Sequence, residues 1–270
     1  MKFYCFLFLG LLCTIARSQA QEKPFVLGLQ DEIFSKELSE KRLLNIYLPE
    51  GYSKDSAKGF PLIYLLDGSA NEDFIHIAGI VQFLKMIGSM PPTIVVGIAN
   101  IDRKRDFTFP TTIDSDKAAY PTTGHSAAFI SFLEKELQPY IERKYKVNNN
   151  RAIIGQSLGG LLATEILLEK PALFNQYIIV SPSLWWDAES LLKKAPQLIK
   201  TNTPHDVDVY LCAGTEGQQM ESDVKRLADL LSTNKKGTSK VFFNPMPDET
   251  HLTILHNAIY QALLTLNMKM

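Results

Sequence analysis

Residues 153–161, IIGQSLGGL, constrain the fold of this chain more than any other stretch. Two β-branched apolar residues run into Gly155 and read as the end of a buried strand. From Leu158 the pattern changes to that of a helix, LGGLLATEILLEK, which stops ahead of Pro171. Ser157 stands alone between them, with Gly155 and Gly159 two residues to either side, in the pattern G-x-S-x-G. A strand, a single sharp turn and a helix in that order hold a serine in a strained backbone conformation with its hydroxyl pointing out. Side chains at the flanking glycines would strike the sheet and the helix. The helix N-terminus behind Ser157 favours negative charge, and the Leu158 N–H is placed to donate to an oxyanion. A tight glycine turn with Ser157 as a mere helix N-cap explains neither glycine.

The rest of the chain repeats the same alternation. Apolar runs read as strands at 42–49, 60–68, 92–100, 151–155, 176–182, 208–214 and 240–246; the middle ones are apolar on both faces, as buried parallel strands are. Residues 25–38 alternate loosely and read as an edge hairpin. Helical periodicity is carried by 74–88, 126–145, 158–170, 220–232 and 251–266. Strands alternating with helices predict one α/β domain over residues 21–270, with a mostly parallel central sheet covered by helices on both faces. Reactive groups in such sheets gather at the carboxyl ends of the strands.

A serine nucleophile needs a base and an acid, and in this architecture they follow it in the order acid, then histidine. Five histidines are available. His251 follows the last strand, in KVFFNPMPDETHLTI, and is the candidate base. His256 lies further inside the final helix, His76 has the wrong place in chain order, and His125 and His205 read as a cap and a loop residue. For the acid, DVYLCAGTEGQQMESD offers Glu216, two residues past Gly214, with Asp223 as its main rival and Glu221 between them. Glu216 lies closest to the strand end and is preferred; its task would be to fix the imidazole tautomer. A second oxyanion donor is expected from LLDGSANEDF, at the amides of Gly68 or Ser69, with Asp67 ordering the turn.

Two further loops fall at the same end of the sheet. NIDRKRDFT presents Arg103 and Arg105 as candidate substrate-binding residues for an anionic ester, or else as half of an internal Arg–Asp pair. SPSLWWD presents Trp185 and Trp186 as an aromatic wall, of which one would pack and one would line the site.

The first twenty residues differ from the rest. A short positive start, an apolar run from Phe3 to Ile15 and Ser18-Gln19-Ala20 read as a secretory signal cleaved near Ala20, so a periplasmic or secreted protein is expected. The run is too short to span a bilayer comfortably, and no stable membrane insertion is expected. Removing it takes away Lys2 and Arg17, lowering a formal charge of −1 by two, and also Cys5 and Cys13. Cys212 alone would remain, in an apolar run that reads as buried and inert, so no intrachain disulfide is expected. The scattered Lys and Arg exclude a nucleic-acid partner.

Taken together, YLLDG, FIHIAGIVQFL, PPTIVVGIANIDRKRDFTFP, AFISFLEKELQPYIERKY, IIGQSLGGLLATEILLEKP, SPSLWWD and DETH resemble the esterase family of α/β-hydrolases, to which siderophore esterases, feruloyl esterases and mycolyltransferases are similar. The resemblance runs from about residue 25 to the end. It implies an α/β-hydrolase fold and a serine ester hydrolase acting on a small-molecule ester through an acyl-enzyme. Ser157 would be the nucleophile, His251 the base and Glu216 at the place of the acid, with no metal or organic cofactor. The same site would serve acyl transfer to an alcohol. A non-catalytic binding module on a hydrolase scaffold would lack the nucleophile or the base, and neither is missing.

Overall fold

The computed structural model describes residues 22–202 and 206–266. The signal-like segment and His205 lie outside these residues. Eight strands form one sheet in the order β1-β2-β4-β3-β5-β6-β7-β8. They are β1 (Leu29–Ser35), β2 (Glu40–Tyr47), β3 (Phe60–Leu65), β4 (Ile94–Ile98), β5 (Val147–Gln156), β6 (Gln176–Val180), β7 (Asp208–Ala213) and β8 (Lys240–Pro245). The edge pair β1–β2 and the pair β2–β4 are antiparallel, and every other pair is parallel. The expected edge hairpin exists in a shifted form. Residues 29–35 make one strand, and its mate is β2 (Leu29 opposite Ile46), not a second strand within 25–38.

Helices cover both faces, and the period of two along each strand divides the core between them. Leu62, Tyr64 and Leu66 point to one side, where they join α4 (Ser126–Phe132), α5 (Gln138–Lys144), α6 (Leu158–Glu169), α7 (Trp186–Thr201) and α8 (Gln218–Asn234). Ile63 and Leu65 point to the other, against α1 (Phe74–Met86) and α9 (Ile254–Leu266). Each such buried Leu or Ile contributes roughly 1.5–3 kcal/mol. The expected helix over 126–145 is α4 and α5 joined by a π-helical turn at Leu133–Leu137. Three helices were not visible in the sequence: α2 (Arg103–Phe107), α3 (Asp114–Ala119) and α7. The first two are too short to show a period. The third carries Pro196 inside it and starts through three residues with positive φ, Asp187, Ala188 and Glu189. Cys212 is buried and free, and burial pushes its thiol pKa up. Among the described residues no helix is long and apolar enough to cross a membrane.

Candidate active site

Every parallel strand ends on the same edge of the sheet, and the loops leaving β3 to β8 carry the polar groups. Ser157 stands directly between β5 and α6 with φ +58° and ψ −119°, a region costing a non-glycine residue about 1–3 kcal/mol. Its amide donates to the Val180 carbonyl (3.1 Å), and its carbonyl accepts from the amides of Leu161 (2.9 Å) and Ser183 (3.0 Å), so the turn is held from both sides. The flanking glycines are held to different degrees. A Cβ on Gly155 would lie 2.3 Å from the Gly159 carbonyl oxygen, whereas one on Gly159 would sit 3.3 Å from Asp67 Oδ2, tight against a loop rather than against backbone.

His251 lies on the turn just ahead of α9, and its ring is about one-third exposed, while the Glu216 side chain is almost wholly buried. Glu216 Oε2 accepts from His251 Nδ1 at 2.5 Å, which leaves Nε2 as the free ring nitrogen. The other carboxylate oxygen accepts from the Gly214 amide (2.9 Å) and from the Ser181 hydroxyl. Burial alone would raise the Glu216 pKa; the bonds from His251, Ser181 and Gly214 outweigh it and hold the carboxyl below its usual range. Asp223, the rival acid, is buried on α8 with Oδ2 unpartnered, its pKa raised by burial and by Glu189. It makes no bond to His251.

Ser157 and His251 share the site without a direct hydrogen bond. The Ser157 hydroxyl lies 3.3 Å from that of Ser183, which is buried. The Gln156 side chain donates to the His251 backbone carbonyl at 2.6 Å and ties the His251 turn to the elbow. Ser181 and Ser183 were not singled out from the sequence. Their signal lies in SPSLWWD, where two serines around a proline read simply as a turn.

The oxyanion candidates separate. Leu158 opens α6, so its amide is one of the helix's unpaired N-terminal donors. The Gly68 amide is committed to the Ile98 carbonyl (2.9 Å) and is not free to receive an oxyanion, which corrects that assignment. The Ser69 amide meets only the carboxylate of Glu72, an exposed side chain, at 3.3 Å.

Both arginines are engaged within the protein instead of facing a substrate. Arg103 makes a two-pronged contact to Asp67 (Nε 2.6 Å, Nη2 2.9 Å) and reaches the Gln156 carbonyl (3.1 Å). Arg105 pairs with Asp106 (2.8 Å) and Glu40 (2.6 Å), beside the buried Arg42–Asp106 pair (2.5 Å). Opposite charges at these spacings satisfy one another, so the internal-pair alternative is the one realised. Asp67, at φ +54°, also accepts from Asn100 (2.6 Å) and does order its turn. The tryptophans divide: Trp186 is fully buried with its Nε1 donating to the Phe109 carbonyl (2.9 Å). Trp185 is half-buried beside Tyr120 (ring centroids 6.4 Å apart), and Lys104 Nζ sits 4.7 Å from that tyrosine's ring centre.

Comparison with known proteins identifies the family. The family model described as "Putative esterase" matches residues 35–252. The ferri-bacillibactin esterase BesA of Bacillus subtilis is 30% identical over 252 residues, covering 83% of this chain and 85% of its own. Among solved structures, an IroE-like serine hydrolase from Shewanella oneidensis superposes with a TM-score of 0.81 at 29% identity, over 89% of this chain and 80% of that one. The BES protein of Bacillus cereus gives 0.80 at 27% identity, over 92% and 99%. With an eight-stranded, mostly parallel sheet, an elbow serine and these relatives, the chain belongs to the esterase family and is a carboxylic ester hydrolase of the α/β-hydrolase fold.

Proposed function

We propose that the protein is an exported serine esterase that cleaves siderophore-type esters through a Ser157–His251–Glu216 triad. The observation that carries this reading is the 2.5 Å contact between Glu216 and His251 Nδ1 on the same sheet edge as a serine held at φ +58°. In the reaction, Ser157 Oγ turns from Ser183 toward His251 Nε2, gives it the proton and attacks the ester carbonyl. The Leu158 and Ser69 amides receive the oxyanion. His251 returns the proton to the leaving alkoxide, and water activated by the same nitrogen then releases the acid. Glu216 holds the tautomer that keeps Nε2 unprotonated at the start. Trp185, with Tyr120 and Lys104 beside it, supplies an aromatic surface for the substrate's rings. A siderophore ester is favoured over a sugar ester because BesA is named for a ferric siderophore. Export rests on the lysine, apolar run and Ser18-Gln19-Ala20 of the first twenty residues.

The test uses residues 21–270 and a folded Ser157→Ala variant on a short p-nitrophenyl ester. The variant is expected to lose about a thousandfold or more in kcat, and a fluorophosphonate should label the parent at Ser157 alone. Equal slow hydrolysis by both, with no label, would remove Ser157 as nucleophile. A panel of catecholate trilactones and feruloylated or acetylated sugars then tests the substrate, with faster turnover of the trilactone expected.

A further inference from the structure

Two histidines outside the triad meet ring to ring. His76 on α1 and His256 on α9 stack with centroids 3.4 Å apart and planes 17° from parallel. The helices run side by side in the same direction, since a second ring contact, Phe83 with Tyr260 at 6.5 Å, lies further along both. The histidine stack is therefore the ring contact nearer their N-termini. The loop entering α1 carries Asp67, Ser69 and Glu72, and the turn entering α9 carries His251. The two helices thus follow the Ser69 loop and the His251 turn, and the stack joins them beside their shared apolar core.

We propose that His76 and His256 are positioning residues that set the spacing between the oxyanion loop and His251, and that the stack holds while the rings are neutral and is lost when both are protonated. The inference rests on the serine-esterase reading of the site. The rings are close enough that two cations would repel strongly across a partly buried contact. His76 Nε2 is buried without a hydrogen-bond partner, so a proton placed there gains no acceptor. Burial first, and then His256, lower the His76 pKa, as this arrangement requires. Glu249, ahead of α9, lies near His256, but its carboxylate is already bonded by Thr253 and Asn257, the stronger influences holding its pKa low. Glu72 and Asp73, at the head of α1, interact with Asn100, Asp67 and Arg103.

Phenylalanine separates stacking from charge. In a His76→Phe/His256→Phe protein, kcat/KM at pH 7.5 should stay within about threefold of the parent. Its acid limb should be shallower than that of the parent, which loses the stack as well. His256→Ala, at an exposed position, should lower kcat about tenfold with KM nearly unchanged, and His256→Phe alone should restore it. An acid limb identical in parent and double-phenylalanine protein, or an unchanged kcat in His256→Ala, overturns the proposal. Imidazole NMR on the Ser157→Ala protein reads the same coupling without turnover. The His251 signal should respond to acidification differently with both histidine rings present and in the His76→Phe/His256→Phe background; an identical response in both overturns the proposal. Failure of the esterase reading would instead appear as absent turnover in the parent at pH 7.5.

Discussion

Glu216 shows how much of the site depends on one side chain. It has two oxygens and three donors converging on them: the His251 ring, the Ser181 hydroxyl and the Gly214 amide. A carboxylate satisfies all three, and a carboxamide cannot, because its NH2 would face a donor. Glu216→Gln therefore leaves either the histidine or the Gly214 amide unpaired and releases the imidazole tautomer. We expect kcat/KM to fall by about 10²–10⁴ with the fold intact, measured on a p-nitrophenyl ester beside the circular dichroism spectrum. The same bonds hold the carboxyl below its ordinary pKa, and the sign of the pH effect follows. The carboxylate's stabilising contribution is present above the unfolded value and is lost as pH falls through the lower folded value. Any gap in Tm between the parent and Glu216→Gln at neutral pH should narrow under acid conditions. A gap independent of pH would show that the bonds do not depend on ionisation.

Between elements, the decisive contact is Arg103. Its guanidinium leaves α2 and joins the loop after β3, through Asp67, to the elbow after β5, through the Gln156 carbonyl. It thus bridges the left-handed Asp67 and the residue before the left-handed Ser157. Lysine has the charge but not the fork. Arg103→Lys should lower kcat about 10–100-fold with KM little changed, equally for neutral and anionic esters; a raised KM confined to anionic esters would make Arg103 a substrate-binding residue after all. The contact also marks the limit of what the sequence discloses. The strand–turn–helix around Ser157 is legible because local pattern alone specifies it, and the parallel sheet is legible from its doubly apolar runs. The arginines read as candidate ligands because their partners lie far off in the chain: Asp67 is 36 residues from Arg103, and Glu40 is 65 from Arg105. Glu216 and Asp223 stay undecided in one dimension because both follow β7 closely. In the folded chain Glu216 sits on the loop at the strand end, whereas α8 turns Asp223 toward Glu189 and Arg226. The stacked histidines are likewise invisible, being 180 residues apart and on helices whose pairing only the sheet order determines.

At the scale of the whole molecule, the core holds a buried carboxyl, Glu165, that makes no ion pair. Glu165 lies on α6, the helix that begins just after Ser157, and almost every residue of that helix is buried. Its Oε1 accepts from the Ser126 hydroxyl at 2.9 Å, and its Oε2 has no partner. Burial pushes its pKa up to about 8. A raised carboxyl carries the opposite sign from Glu216. Between the unfolded value and about 8 the folded state binds the extra proton, so stability falls as pH rises through that window. Glu165→Gln keeps the size and the bond to Ser126 and removes the titration. It should raise Tm at pH 9 by roughly 5–10 °C, corresponding to ~2–4 kcal/mol, and leave Tm near pH 5 almost unchanged. Thermal unfolding of both proteins from pH 5 to 9 checks this. Curves that converge at acid pH and part toward alkaline pH carry the prediction, while parallel curves would mean that Glu165 is ionised in the folded core. The site should register the same protonation only weakly, because the hydrogen bond of Glu165 goes to Ser126 on α4 and not to Ser157, His251 or Glu216. The Tm of the parent should therefore decline toward alkaline pH without a matching loss of ester hydrolysis at temperatures below the unfolding transition.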